Sequence, residues 1–206
     1  MNIIIENVSK SFSGRPVLEG VSLKIPMGKT TALLGPSGTG KTTLLRLISE
    51  LDKSDSGFIK GVSQKDTAYM FQESRLFPWM TALENIACVI HKKNTAALKE
   101  AAVWLEKVKL AQDGNKYPSE LSGGMNRRIA LARTLAYDKP FVLLDEPFYG
   151  LDTELKSEIM KMTGSELSGR TVIFITHDLV EAESFADNII YLNQSGYLSE
   201  ASQAPS

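Results

Sequence analysis

The chain has 206 residues, 43% hydrophobic and 23% charged, with a formal net charge of −1, which suits one globular domain with room for an inserted lobe and excludes a disordered chain. No general basic excess is available to hold a nucleic-acid polymer, and the lone cysteine, Cys88, excludes an internal disulfide and a multi-cysteine metal site. The longest unbroken apolar runs, Ile86–Ile90 and Ala101–Leu105, fall far short of the ~20 residues of a spanning helix, and the N-terminus carries no basic-then-apolar leader.

Ile3–Val8, apolar and β-branched, predicts a strand, and Val17–Ile25, apolar at Val17, Val21, Leu23 and Ile25, predicts a second. Pro26–Lys29 predicts a turn. Thr31–Leu34 is a short apolar run, and Lys41–Glu50 predicts a helix with Leu44, Leu45, Leu47 and Ile48 on one side. Asp52–Gly61 is polar and reads as turns; Thr67–Phe71 predicts a short strand. The middle is helical: Ala82–His91, then Thr95–Lys109 with Ala97, Ala101, Leu105 and Val108 at near-helical spacing, then Ser122–Tyr137. Phe141–Leu144 and Val172–Ile175 are continuous apolar runs that suit strands buried on both faces. Asn188–Leu192 predicts a further strand, and the polar tail 193–206 is expected to be loosely held. This alternation predicts an α/β core (about 1–75 and 138–192) on a parallel sheet, with a helical lobe (about 76–137) inserted into it.

Gly35-Pro36-Ser37-Gly38-Thr39-Gly40-Lys41-Thr42 fits the phosphate-loop pattern G-x-x-x-x-G-K-[ST]. It follows a predicted strand and opens a predicted helix, the context this chemistry requires. Its glycines let successive N–H groups turn inward, and the helix N-terminus adds partial positive charge. Lys41 would reach the β- and γ-phosphates and Thr42 would hold Mg²⁺. The competing reading is a glycine-rich turn with a surface lysine. A dinucleotide fingerprint fits poorly, because Thr43 stands where it needs glycine.

A second motif should supply a carboxylate for the metal. The run Phe141–Leu144 ends in Asp145-Glu146. Asp145 would serve Mg²⁺ through water, and Glu146 would face the γ-phosphate and orient or deprotonate the attacking water. Ser122-Gly123-Gly124 precedes the third helical stretch as a good N-cap with exposed backbone donors, a second anion site or a plain helix cap.

Together these residues resemble the ATP-binding-cassette (ABC) ATPases over about residues 1–192, with the motifs in family order. Gly35–Thr42 and the adjoining Thr43 look like Walker A, Gln72 like the Q-loop glutamine, and Leu121–Met125 like the signature sequence. Asp145 and Glu146 look like Walker B and the glutamate after it, Asp152 like the D-loop aspartate, and His177 like the switch histidine. Phe12 is placed like the aromatic that stacks on adenine, with plain packing as its alternative. Met125 departs from the usual glutamine, which puts that side chain's hydrogen bond in doubt but leaves the backbone donors of Ser122–Gly124. The resemblance implies a P-loop NTPase (RecA-like) parallel-sheet core, an N-terminal antiparallel β-subdomain and an inserted helical subdomain.

The resemblance also implies ATP and Mg²⁺ as ligands. It implies a head-to-tail homodimer, or a pseudo-dimer with a second cassette, in which Walker A of one copy faces Ser122 and Gly124 of the other. Gln72 would sense Mg²⁺ and the attacking water, and His177 would hold the γ-phosphate and water. Glu146 would be the base, acting alone or with His177.

Three functions share this engine: a transporter subunit, a nucleic-acid ATPase and a ribosome-acting protein. Asp145 follows Lys41 by 104 positions, too few for the long coiled coil of chromosome-organising relatives. Ribosome-acting relatives usually carry two cassettes, and one is present here. Phe71–Thr81 and Asp145–Asp152 are similar to bacterial importer cassettes, the first especially to the nitrate, sulfonate and taurine group. The implied partners are membrane-spanning permease subunits and, indirectly, a solute-binding protein, with no nucleic acid. The implied location is the cytoplasmic face of the cell membrane, as a peripheral subunit, and no C-terminal regulatory domain is expected. An exporter subunit is the alternative direction. Trp79 would seat a permease helix or lie buried in the lobe. Cys88 is expected to be buried, His91 solvated, and Arg127, Arg128 and Arg133 spread on a helix surface or set against acidic groups of a dimer partner.

Overall fold

The computed structural model describes residues 2–92, 94–193 and 198–201. Nine strands and six helices follow in chain order among the described residues: β1 Asn2–Phe12, β2 Arg15–Pro26, β3 Thr30–Leu34, α1 Lys41–Ile48, β4 Ser56–Lys60, β5 Thr67–Met70, α2 Ala82–Ala87, α3 Asn94–Lys107, α4 Gly123–Ala136, β6 Phe141–Asp145, α5 Thr153–Glu166, β7 Thr171–Ile175, α6 Leu179–Phe185, β8 Asn188–Leu192 and β9 Leu198–Ala201. They divide into two compact units. The first comprises Met1–Tyr69, Pro140–Glu146 and Ser168–Ser206; the second comprises Met70–Lys139 and Pro147–Leu167.

In the first unit a six-stranded sheet runs β5-β6-β7-β3-β8-β9. Strands β6, β7, β3 and β8 are parallel, and β9 is antiparallel to β8. All five residues of β7 are buried, as expected for a central parallel strand covered on both faces. The order β6-β7-β3 puts the C-terminal ends of three adjacent strands side by side, where ligands of open α/β sheets bind. From β3 the chain enters Gly35–Thr42, β6 ends on Asp145, and β7 leads to His177.

A second sheet, β2-β1-β4, is antiparallel. Its inward side chains Ile3, Ile5, Val8, Leu18, Val21 and Ile25 share one core with Leu44, Leu45 and Ile48 of α1 and with Leu143, Ile173 and Ile190 of the parallel sheet. Each such fully buried aliphatic side chain contributes about 1.5–3 kcal/mol relative to exposure. Strand β4 corrects the reading of Asp52–Gly61 as turns. Ile59 and Phe58 face Ile5 and Glu6 of β1 across an antiparallel ladder, and that partner lies some fifty positions away.

In the second unit α2, α3 and α4 pack on one another. Ala97, Ala101, Leu105 and Val108 are buried, along with Ile86, Ile129 and Leu135. Helix α5 belongs to this unit and was not expected from hydrophobic spacing. In the tail, Leu198–Ala201 pairs with β8 and is not loosely held; the remainder, 194–197 and 202–206, lies outside the described residues.

Candidate nucleotide-binding site

Two glycines of the phosphate loop are sterically required. At Gly35 (φ +144°) a Cβ would run into the carbonyl oxygen of Leu192, and at Gly40 (φ +89°) it would lie 2.6 Å from Cδ2 of Leu18. Gly40 is also the N-cap of α1, so the helix opens without a side-chain cap, with its first N–H groups on the loop side. The hydroxyl of Thr39 donates to the carbonyl of Pro36 at 2.9 Å and closes the loop on itself.

Lys41 is only 9% exposed. Its ammonium donates to the carbonyls of Gly35 (2.7 Å) and Pro36 (2.8 Å), so the loop is curled around it. Burial pushes the Lys41 ammonium below its ordinary pKa, while Glu146 and Asp145 act in the other direction as nearby carboxylates. Asp145 is buried. Glu146 has a left-handed backbone (φ +51°), a conformation that costs a non-glycine residue of order 1 kcal/mol. Its N–H donates to the carbonyl of Ile175 at 3.1 Å. Nδ1 of His177 lies 3.8 Å from Oε1 of Glu146. The first unit thus brings together Lys41, Asp145, Glu146 and His177. Phe12, the last residue of β1, is 46% exposed, with the Lys10 ammonium 5.4 Å from its ring centre.

Among the described residues there is no cluster of three or more His, Cys, Asp or Glu side chains able to hold a metal. A hard cation such as Mg²⁺ needs less from the protein, since it keeps waters and takes phosphate oxygens. The buried carboxylate of Asp145 and the exposed hydroxyl of Thr42 are oxygen donors of the right class, so the residues present fit this ion.

Gln72, Ser122–Gly124 and Asp152 belong to the second unit. Ser122 is the N-cap of α4, accepting from the Met125 N–H at 3.2 Å. Its hydroxyl proton remains available to donate. A Cβ on Gly124 would meet the carbonyl of Gly150 at 3.7 Å, so the signature backbone lies close to the segment that carries Asp152. Asp152 caps α5 by accepting from the Leu155 N–H at 3.0 Å.

The arginines of α4 are not surface decoration. Arg127 donates to the carbonyl of Gln72 at 2.7 Å. Arg128 donates to the carbonyls of Val108 (2.7 Å) and Lys109 (3.2 Å), and Arg133 to those of Ser74 (3.1 Å) and Arg75 (3.0 Å). Asn85, fully buried, binds the backbone of Phe77, Met80 and Thr81. The segment after Gln72 is therefore held by polar side chains, and it presents Trp79 at 69% exposure, with the Phe77 ring tilted against it at 5.5 Å. Trp79 is therefore not buried in the lobe. Cys88 is exposed rather than buried. Helix α6 and its cap Asp178 were not anticipated, although Asp178-x-x-Glu181 is a readable helix start.

The sequence profile described as "ABC transporter" matches residues 18–149. The sulfate/thiosulfate import ATP-binding protein CysA of Escherichia coli (strain K12) is 40% identical over 224 aligned residues, covering 100% of this chain and 60% of that protein. Its namesake from Thermosynechococcus vestitus is 41% identical over 209 residues, covering 94% and 62%. The chain thus spans about 60% of the length of these curated relatives. The solved dimeric structure of MJ0796, a bacterial ABC transporter cassette, superposes with a TM-score of 0.86 at 30% identity, covering 96% of this chain and 98% of that one. A bacterial Atm1-family ABC exporter with ATP bound also gives 0.86, at 29% identity, over 97% of this chain and 38% of that one. The chain belongs to the ABC transporter family, with the fold of its ATP-binding cassettes. The two CysA relatives are import proteins, as the resemblance implied, but for sulfate and thiosulfate rather than nitrate, sulfonate or taurine.

Proposed function

We propose that this chain is the ATP-hydrolysing cassette of an importer for a small oxyanion such as sulfate or thiosulfate. The observation that carries the reading is the convergence of Lys41, Asp145, Glu146 and His177 at the ends of adjacent strands. The 40% identity to import proteins supports the direction and the oxyanion class. The exporter likeness is one of fold, at lower identity.

In this reading Phe12 stacks on adenine, and the backbone donors of Gly35–Thr43 cradle the phosphates. Lys41 leaves the carbonyls of Gly35 and Pro36 for the β- and γ-phosphates of ATP. Thr42 and Asp145 would hold Mg²⁺, with Gln72 as a further contact. The ion, when bound, offsets charge on the phosphate oxygens. Glu146 orients the attacking water and takes its proton as the water oxygen bonds to the γ-phosphorus and the bond to the leaving ADP oxygen breaks. His177 holds the γ-phosphate and water beside Glu146.

Ser122 and Gly124 of a second copy complete the site across a head-to-tail pair, with Asp152 beside them. Loss of the γ-phosphate contacts on hydrolysis lets the pair open. No helix among the described residues is long and apolar enough to cross a membrane. The likeness to import ATP-binding proteins supports a peripheral place on the cytoplasmic face, docked on permease subunits. Trp79 and Phe77 are the exposed anchors for that contact.

Tagged Glu146→Gln, trapped with Mg-ATP and purified from native membranes, tests the assignment. Co-purification of a multi-span permease supports it. A soluble complex or nucleic acid in place of a permease would contradict the transport role while leaving the ATPase chemistry standing.

A further inference from the structure

The His177 side chain is 61% exposed, with Nδ1 3.8 Å from Oε1 of Glu146, and the backbone that carries it sets where the imidazole can reach. That backbone is fixed by a buried pair. The hydroxyl of Thr176 (2% exposed) donates to Oε2 of Glu181 (6% exposed) at 2.6 Å. The same hydroxyl oxygen accepts from the N–H of Asp178 at 3.1 Å. One oxygen therefore spans His177, tying the residue before it to the residue after it.

Both ends of this clasp are themselves anchored. The Thr176 N–H donates to the carbonyl of Leu33, at the end of β3 where the phosphate loop begins, at 3.3 Å. Glu181 sits in the first turn of α6, whose cap Asp178 accepts from the N–H groups of Val180 (2.9 Å) and Glu181 (3.4 Å). Farther along α6, Phe185 packs edge-on against Phe174 of β7 at 5.0 Å. A carboxylate this buried is costly unless hydrogen-bonded, and a 2.6 Å hydroxyl–carboxylate bond is short and strong enough to hold the turn.

We propose that Thr176 and Glu181 are positioning residues that aim the His177 imidazole at the site shared with Glu146, an inference that rests on the ATPase reading above. The pair touches no substrate; it acts through His177. The chain has two histidines, so His177→Ala assigns the His177 imidazole signal in an NMR spectrum.

Thr176→Val is the test, with Thr176→Ser as the conservative rescue. We expect Thr176→Val to lower kcat by about 10- to 100-fold, to leave ATP affinity within about twofold and to shift the His177 imidazole signal. Thr176→Ser should restore both rate and signal. In a His177→Ala background, Thr176→Val should cost nothing further, because the two act as one unit. Wild-type kcat with an unmoved imidazole signal would overturn the proposal, as would an equal fractional loss in the His177→Ala background. Should Thr176→Val fail to fold, the near-isosteric Glu181→Gln, which weakens the same hydrogen bond, carries the same expectations at smaller size and the same refutation. A wild-type chain that hydrolyses no ATP while Thr176→Val still moves the imidazole signal would remove the ATPase reading and leave the positioning pair in place.

Discussion

Nδ1 of His177 and Oε1 of Glu146 face each other at 3.8 Å; Glu146 directly follows Asp145 at the end of β6, and His177 lies two residues beyond Ile175, the partner of Asp145 at the end of β7. The gap is too long for a direct hydrogen bond and short enough for both side chains to hold one third group. His177→Ala should therefore lower the rate of phosphate release by about 10²-fold or more. ATP affinity, read by fluorescent-nucleotide binding, should change little, since His177 lies outside the loop that grips the phosphates. A large loss of ATP affinity with an unchanged turnover number would place His177 in binding rather than chemistry.

Lys41 is expected to act on binding. Its ammonium already rests on the carbonyls of Gly35 and Pro36, so removing it deletes both a phosphate contact and an internal brace of the loop. Lys41→Ala should weaken ATP binding at least about tenfold, the equivalent of one charge-assisted contact. Equilibrium titration checks this, and unchanged affinity would contradict the phosphate-loop assignment.

Gly40→Ala probes the loop's shape. A Cβ there would stand 2.6 Å from Cδ2 of Leu18 and 3.0 Å from the carbonyl oxygen of Val17, at a left-handed φ of +89°. Leu18 is fully packed in the core, so relief requires movement of both loop and β2. Urea unfolding should show a loss of about 1–3 kcal/mol.

The pair Arg46–Asp52 predicts an acid-dependent stability. Asp52 accepts from Nε and Nη2 of Arg46 at 2.7 and 3.1 Å, and this fork holds its carboxyl below the usual carboxylate range. A depressed carboxyl stabilises the fold above its unfolded pKa, and that contribution disappears as pH falls through the lowered folded value. Asp52→Asn should cost about 0.5–1 kcal/mol at pH 7, allowing for partial exposure. The gap to wild type should close in acid. A constant gap across the acid range in urea melts would contradict the assignment.

Cys88 should react slowly for an exposed thiol. The residue is exposed as a whole, but its Sγ donates to the carbonyl of Asn85 at 3.2 Å and is partly buried; this partial burial pushes the thiol pKa up, opposed by the nearby Arg133 cation, so the thiolate is scarcer than in a free cysteine at neutral pH. The pH profile of iodoacetamide alkylation should be displaced upward from that of free cysteine; a profile at or below it would refute the shift.

What the sequence made legible was local structure around the candidate site residues. The phosphate loop, the strand ending in Asp145-Glu146 and the Ser122 cap are each written in consecutive residues, and each lies where its neighbours predict. Strand β4 was not legible, because its ladder partner β1 is distant in the chain and its own residues are half polar. Helices α5 and α6 were missed for want of a long apolar stripe, although Asp152 and Asp178 cap them visibly. The arginines of α4 were misread because charge on a helix usually means solvent, whereas here the guanidinium groups satisfy loop carbonyls that no sequence pattern announces. Cys88 went the same way: a small apolar type by composition, it stands at the exposed end of the short helix α2.

The most direct test of the account is steady-state phosphate release from Mg-ATP by the wild-type chain and by Glu146→Gln, with ATP binding measured on the same samples. The account predicts Mg²⁺-dependent hydrolysis by wild type and equal ATP binding by both. It also predicts turnover slowed by about 10²–10⁴-fold in the variant, the range of a positioned general base. Near-normal turnover in Glu146→Gln would contradict it.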